Sequence, residues 1–215
     1  MLMAMKLYNY FRSSASYRVR IALAIKNLPY DYVPVHLLKG DHKKPEFGAL
    51  SADGFVPLLE DAGEHLSQSM AIMEYLDEVH PSPPLLPSDP VGRAKVRALA
   101  QSVACDIHPL NNLRVLKYLV RELKASEEAK NDWYRHWCRE GLQSLDRQLQ
   151  RVGVATYCYG DSPTLADCCL VPQVVNAQRF GVGIETLGRV QAVFEACMKH
   201  PAFAAADPAR CPDSE

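Results

Sequence analysis

The chain has 215 residues, 48% apolar and 23% charged, with 24 Lys+Arg against 25 Asp+Glu. This is the composition of a folded chain of one large or two small domains, which excludes wholesale disorder. A net charge of −1 supplies no field for a nucleic-acid backbone or an anionic membrane, so neither partner is expected.

Lys6–Phe11 reads as a short strand. Ser16–Lys26 follows with Val19, Ala22, Leu23 and Ile25 at helical spacing. Tyr30–Leu37 is rich in Tyr and Val and suits a strand. Pro45–Leu50 predicts a short helix. Val56–Glu60 and Glu64–Leu66 flank Asp61-Ala-Gly63, a hairpin pattern. Ser69–Val79 carries Ile72, Met73, Leu76 and Val79 on one helical face. The order β-α-β-α-β-β-α starts with a parallel pair and ends with antiparallel strands, which is a thioredoxin-like layout.

Five of the fifteen prolines fall between 81 and 90. Proline propagates neither helix nor central strand, so this run reads as a linker. It divides the chain into an α/β domain over 1–84 (with 1–4 as an extension), a linker end over 85–90, and an all-helical domain over 91–215. The predicted helices of the second domain are Gly92–Cys105, Leu110–Leu123, Glu127–Val152, Leu165–Arg179 and Val190–His200. Thr164-Leu-Ala-Asp167 has the spacing of a capping box ahead of an apolar run.

Seven cysteines lie at 105, 138, 158, 168, 169, 197 and 211, so the first 104 residues have none. The odd count and irregular spacing argue against a disulfide framework. Cys105 and His108 have C-x-x-H spacing, but two ligands make no tetrahedral zinc site, and no metal is expected. No N-terminal signal pattern or membrane-length apolar run occurs, so a cytoplasmic protein is expected.

Four places could carry chemistry. The first is Phe11–Arg20, between the first strand and the first helix. A helix N-terminus favours anions and thiolates, Ser13 and Ser14 could donate to one, and Arg12 could grip a carboxylate. The plainer alternative is that the serines cap the helix and the arginines are solvated. The second is Val56-Pro57. Base rates favour a trans bond here, whereas a cis bond would turn the Val56 main chain outward for an extended ligand. The third is Gln68-Ser69, where Ser69 is a natural N-cap and Gln68 could hold a ligand's charged end. The fourth is Cys105–Asn112, where Pro109 would break a helix and aim His108 and Asn112 at a ligand.

Taken in order, these features resemble the zeta class of soluble glutathione transferases over nearly the whole chain. Arg12-Ser-Ser-Ala-Ser-Tyr-Arg-Val-Arg-Ile-Ala-Leu23 is similar to the class signature, Ser-Ser-Cys followed by Arg-x-Arg-Ile-Ala-Leu. Ile107–Asn112 and Thr164–Pro172 resemble the same branch, which includes maleylacetoacetate and maleylpyruvate isomerases. The resemblance implies a thioredoxin-like N-terminal domain, an all-α C-terminal domain, a homodimer, and glutathione as cofactor. It gives Ser13 the glutathione sulfur, with Ser14 in support. Val56 takes the glutathione backbone, Gln68 and Ser69 its γ-glutamyl end, and His42 its glycine carboxylate. His108 and Asn112 are glutathione contacts from the helical domain. Arg12 and Arg179 match arginines that hold the carboxylates of a small ene-dione diacid. The implied reaction is cis–trans isomerisation by thiolate addition, rotation and elimination. A general transferase or dehalogenase, or a non-catalytic association module, is the alternative. Ala15 stands where the signature has cysteine, so disulfide exchange from that position is excluded.

Overall fold

The computed structural model describes residues 5–153 and 155–215. The 1–4 extension lies outside them. By its contacts the chain forms two units. One is Met1–Leu85 with Met198–Glu215, and the other is Leu86–Cys197.

The first unit is built on a four-stranded sheet in the order β2-β1-β3-β4. β1 (Lys6–Asn9) runs parallel to β2 (Asp31–Pro34) and antiparallel to β3 (Leu58–Asp61). β3 pairs antiparallel with β4 (Glu64–Ser67) through the two-residue loop Ala62-Gly63, both at positive φ, as a tight hairpin requires. The strands are shorter than the apolar runs suggest. α1 (Ser14–Ile25), α2 (Pro45–Gly48) and α3 (Ser69–Val79) complete the expected order.

α1 departs from a one-faced helix. It is buried on almost every side, from Ser14 to Leu23. Arg18 and Arg20 are both only 2% exposed, so the expectation that these arginines are solvated is corrected. Residues two apart on a helix point about 200° apart. Arg18 therefore meets α3, where its Nη1 donates to Ser69 Oγ at 3.2 Å. Arg20 points the other way, to the Ala206 carbonyl after α9 (Pro201–Ala205). The Lys26 ammonium closes the lower end. It donates to Asp77 Oδ1 at 2.8 Å and to the His80 and Pro83 carbonyls, which ties α1 to α3 and to the proline run.

The boundary read from sequence kept 198–215 with the helices. The structure groups that stretch with the sheet unit. The reason is local: α1 carries donors, Tyr17 Oη and Arg20, that need acceptors, and Phe203 and Ala206 supply carbonyls.

The second unit is helical. α4 (Pro90–Gln101) ends earlier than expected, because Ser102–Ile107 widens to a π-helical turn and His108–Asn111 tightens to a 3-10 turn around Pro109. α5 (Leu113–Arg121), α6 (Glu127–Val152), α7 (Leu165–Arg179) and α8 (Gly188–Lys199) follow, α8 running into the first unit at its end. Gly141 of α6 accepts Ile107 in close approach; a Cβ there would meet its side chain at 2.3 Å.

The capping box at α7 is complete. Asp167 is fully buried and accepts from Thr164 N, Thr164 Oγ1 and Cys158 N at 2.7–2.8 Å. Burial raises its carboxyl pKa, and these hydrogen bonds oppose the rise. Replacing it would strand three buried donors. Asp167→Ala is expected to lower the unfolding free energy by about 3 kcal/mol in urea titration.

Candidate functional site

The β1–α1 turn is closed by Ser13 N donating to Tyr10 O at 2.9 Å. Ser13 then caps α1, its Oγ accepting from Ser16 N at 3.2 Å. The plain capping role and the functional one are compatible. A hydroxyl has two acceptor lone pairs and one proton, and the cap uses only a lone pair. Among the described residues none accepts the Ser13 proton. It sits at a helix N-terminus, where the dipole favours an anion. Ser14, the first residue of α1, is buried. Arg12 is exposed, with its guanidinium 5.0 Å from the centre of the Phe11 ring.

The Val56–Pro57 peptide is cis, against the base-rate expectation. Val56 packs in one apolar cluster with Tyr10, Phe11, Val35, Phe47, Leu58 and Cys211, so its side chain anchors it beside the turn that carries Ser13. Its N–H and C=O enter no hydrogen bond among the described residues. They are free to pair with an extended chain, as an unpaired strand edge is.

At α3 the structure corrects the cap. Gln68, not Ser69, is the N-cap residue, and it makes no side-chain cap. Its φ of 68° is in the left-handed region, an uncommon place for a glutamine. Such strain gathers at ligand sites, where the surrounding structure holds it. The Gln68 side chain is exposed while Ser69 is buried. Ser69 Oγ is engaged by Arg18, whose Nε and Nη2 are buried without a partner. A buried cation so poorly satisfied is costly in isolation. It places positive charge at the N-terminus of α3, a second anion-favouring end.

His42 lies in the 3-10 turn Asp41–Lys43. Its carbonyl is in close approach to Gly54, which has φ +65° and would place a Cβ 3.0 Å from that oxygen. The His42 turn and the segment entering Val56 are thus held together.

Within the first unit, then, Val56 packs against Tyr10 and Phe11 of the turn leading to Ser13, Arg18 meets Ser69, and the His42 carbonyl lies against Gly54 of the loop entering Val56. In the second unit His108 and Asn112 meet: Asn112 Nδ2 lies 3.4 Å from His108 Nε2. Asn112 Oδ1 also caps α5 by accepting from Arg114 N at 3.0 Å. Arg179 ends α7, exposed, 5.7 Å over the Phe180 ring, which itself stacks on Tyr134 at 3.7 Å.

Arg18 is the residue the sequence reading passed over. Its signal was present. A charge flanked by Tyr17, Val19, Ile21, Ala22 and Leu23 has no polar face on which to be solvated.

Comparison with known proteins identifies the family. Residues 3–78 match the family described as Glutathione S-transferase, N-terminal domain. Maleylacetoacetate isomerase of Pseudomonas aeruginosa is 48% identical over 213 residues, 98% of this chain and 99% of that protein. Maleylpyruvate isomerase of a Ralstonia species is 47% identical, covering 98% of this chain and all of that one. The holo structure of a maleylpyruvate isomerase, described as a bacterial zeta-class glutathione S-transferase, superposes with a TM-score of 0.95 at 47% identity, covering 98% of this chain and 100% of that one. The maleylacetoacetate isomerase of Anaeromyxobacter dehalogenans, with glutathione in its active site, gives 0.89 at 42% identity, covering 99% and 98%. The chain belongs to the glutathione S-transferase family. Its high-identity relatives place it in the zeta class, among the maleylacetoacetate and maleylpyruvate isomerases.

Gly54→Ala tests how firmly the His42 and Val56 segments are held. The left-handed φ and the His42 carbonyl both oppose a Cβ. A loss of about 1–2 kcal/mol is expected in thermal unfolding.

Proposed function

We propose that this chain is a glutathione-dependent cis–trans isomerase of maleylacetoacetate or maleylpyruvate. The observation that carries the reading is the Ser13 hydroxyl, a helix cap whose proton remains available at the positive end of α1. The relatives named as these isomerases support it.

The residues of the first unit fit glutathione. An unpaired Val56 main chain suits its peptide, and two helix N-termini, one backed by Arg18, suit its thiolate and its γ-glutamyl end. We assign Ser13 to the sulfur, Ser14 to its support, Val56 to the backbone, Gln68 and Ser69 to the γ-glutamyl end, and His42 to the glycine carboxylate. His108 and Asn112 are assigned as further glutathione contacts. When bound, glutathione supplies a thiolate whose reversible addition to the cis double bond frees that bond to rotate.

The protein's task is to hold charge and ends. Ser13 donates to the sulfur anion and lowers the thiol pKa together with the helix terminus. Arg12 and Arg179 hold the substrate's carboxylates while its middle turns. Cations at fixed positions also favour the negative charge that develops on the substrate. Most of the residues assigned to glutathione belong to the domain over 1–84, with His108 and Asn112 from the helical domain, and the diacid is assigned one arginine from each domain. We place the protein in the cytoplasm as a homodimer; among the described residues no helix is long and apolar enough to cross a membrane.

The decisive assay supplies maleylpyruvate and maleylacetoacetate separately with catalytic glutathione. Trans product without net loss of glutathione is expected, and its absence for both substrates overturns the reading. Ser13→Ala removes a donor to the anion. It is expected to lower kcat/KM by roughly 10–100-fold at neutral pH and to move the rise of the pH–rate profile to higher pH. Arg179→Ala is expected to raise KM for the diacid by roughly tenfold, read from initial rates.

A further inference from the structure

The segment after α9 reaches back to the β1–α1 turn. Asp213 Oδ2 accepts from Phe11 N–H at 3.3 Å, and Asp213 Oδ1 accepts from Tyr32 Oη. The opposite side of the same residue is also held: Arg20 Nη2 donates to Phe11 O at 3.1 Å. Arg20 Nη1 reaches Asn9 Oδ1 at 3.0 Å, and its Nε reaches Ala206 O at 3.1 Å. Both peptide groups of Phe11 are therefore fixed, one by a carboxylate of the 206–215 segment and one by a cation that this segment also engages. Phe11 lies inside the turn closed by Ser13 N and Tyr10 O, two residues before the Ser13 hydroxyl.

We propose that Asp213 is a positioning residue for the sulfur-binding turn: it fixes the Phe11 peptide so that the Ser13 hydroxyl meets the glutathione sulfur at one angle. The proposal rests on the glutathione reading of Ser13. The hydrogen bonds of Asp213 go to Phe11 and Tyr32, neither of which is assigned to the rest of glutathione. Loss of Asp213 should alter the thiolate and leave the grip on the rest of glutathione in place. The charged and titratable groups facing it are Tyr32 from β2, Cys211 on its own segment, and Arg20 of α1 through Phe11. Further along, Glu215 takes Lys39 Nζ at 2.8 Å and lies 3.2 Å from His36 Nε2. His36 Nδ1 already accepts from Lys39 N, so Nε2 carries the proton that Glu215 receives. These contacts seat the segment against the region after β2.

The test compares wild type, Asp213→Asn and Asp213→Ala in the full chain. Asparagine keeps one acceptor oxygen for the turn, and alanine keeps none. Three readouts are taken: amide hydrogen exchange at Phe11–Ser13, the ultraviolet thiolate absorbance of bound glutathione against pH, and kcat and KM for glutathione. Asp213→Ala is expected to speed exchange at Phe11, to raise the bound thiol pKa by about one unit, and to lower kcat roughly tenfold at neutral pH with KM within about twofold. Asp213→Asn should recover a large part of each change. Unchanged exchange at Phe11 in the alanine variant overturns the clamp itself. Faster exchange with an unchanged thiol pKa, or a loss carried entirely in KM, overturns its positioning role. A global rise in exchange across the sheet marks unfolding and also counts against it if asparagine shows the same. A wild-type protein that shows no thiolate on adding glutathione refutes the reading of Ser13, an outcome separate from either of these because exchange at Phe11 is measured without glutathione.

Discussion

The interaction on which the first unit depends is the burial of the Arg20 guanidinium. A cation taken out of water is tolerable only when its donors are met. Arg20 is 2% exposed, and it spends its donors on Asn9, Tyr10, Phe11 and Ala206. Three are main-chain carbonyls of the β1–α1 turn and of the end of α9, and one is the side-chain oxygen of the last residue of β1. One side chain thus satisfies the exit of β1, the turn toward α1 and the close of α9. The turn that presents Ser13 takes its shape from this need. The 198–215 stretch joins the sheet unit for the same reason.

Arg18, two residues earlier, performs the opposite service. It is equally buried but poorly satisfied, with one donor on Ser69 and two nitrogens unpartnered. A helix buried on all sides lets one chain segment hold a closed cation on one face and an open one on another. The closed cation fixes geometry. The open one supplies charge beside a helix N-terminus, where an acidic ligand end gains most. The pairing shows why Arg-x-Arg spacing suits this helix: a step of two residues sends the side chains to nearly opposite sides.

Much of this was legible in the sequence, and the rest was not for identifiable reasons. The order of strands and helices followed from apolar spacing, since each element buries a face. α6 and α7 matched to the residue because caps or breakers stand at their ends: Thr164 with Asp167 opens α7, and Gly153 follows α6; α3 matched in its bounds with the proline run just beyond it. The strands of β1 and β2 came out shorter because an apolar run marks what is buried, not what is paired. Tyr10 and Phe11 are core without being strand. The cap at α3 was misplaced by one residue because serine at a helix start reads the same whether it caps or accepts from a distant arginine. Only the fold brings Arg18, 51 positions away, to Ser69. The same holds for Asp213 and Phe11, 202 positions apart.

The absence of cysteine from the first 104 residues gains a physical meaning here. The thiols the chain does have are mostly kept from reacting. Burial pushes Cys138 up to about 12 and raises Cys158, Cys197 and Cys211 as well. A protonated, enclosed thiol is a poor nucleophile. Ala15, on the first turn of α1, stands where the helix terminus would favour a thiolate of the chain's own, and it carries a methyl group. The fold therefore provides an anion-favouring helix end with a hydroxyl donor and no resident sulfur. Such a place is suited to a thiolate that arrives with a ligand, and a net charge of −1 does not oppose this. Arg12, Arg18 and the helix termini act over a few ångströms, where local placement outweighs the field of the whole molecule.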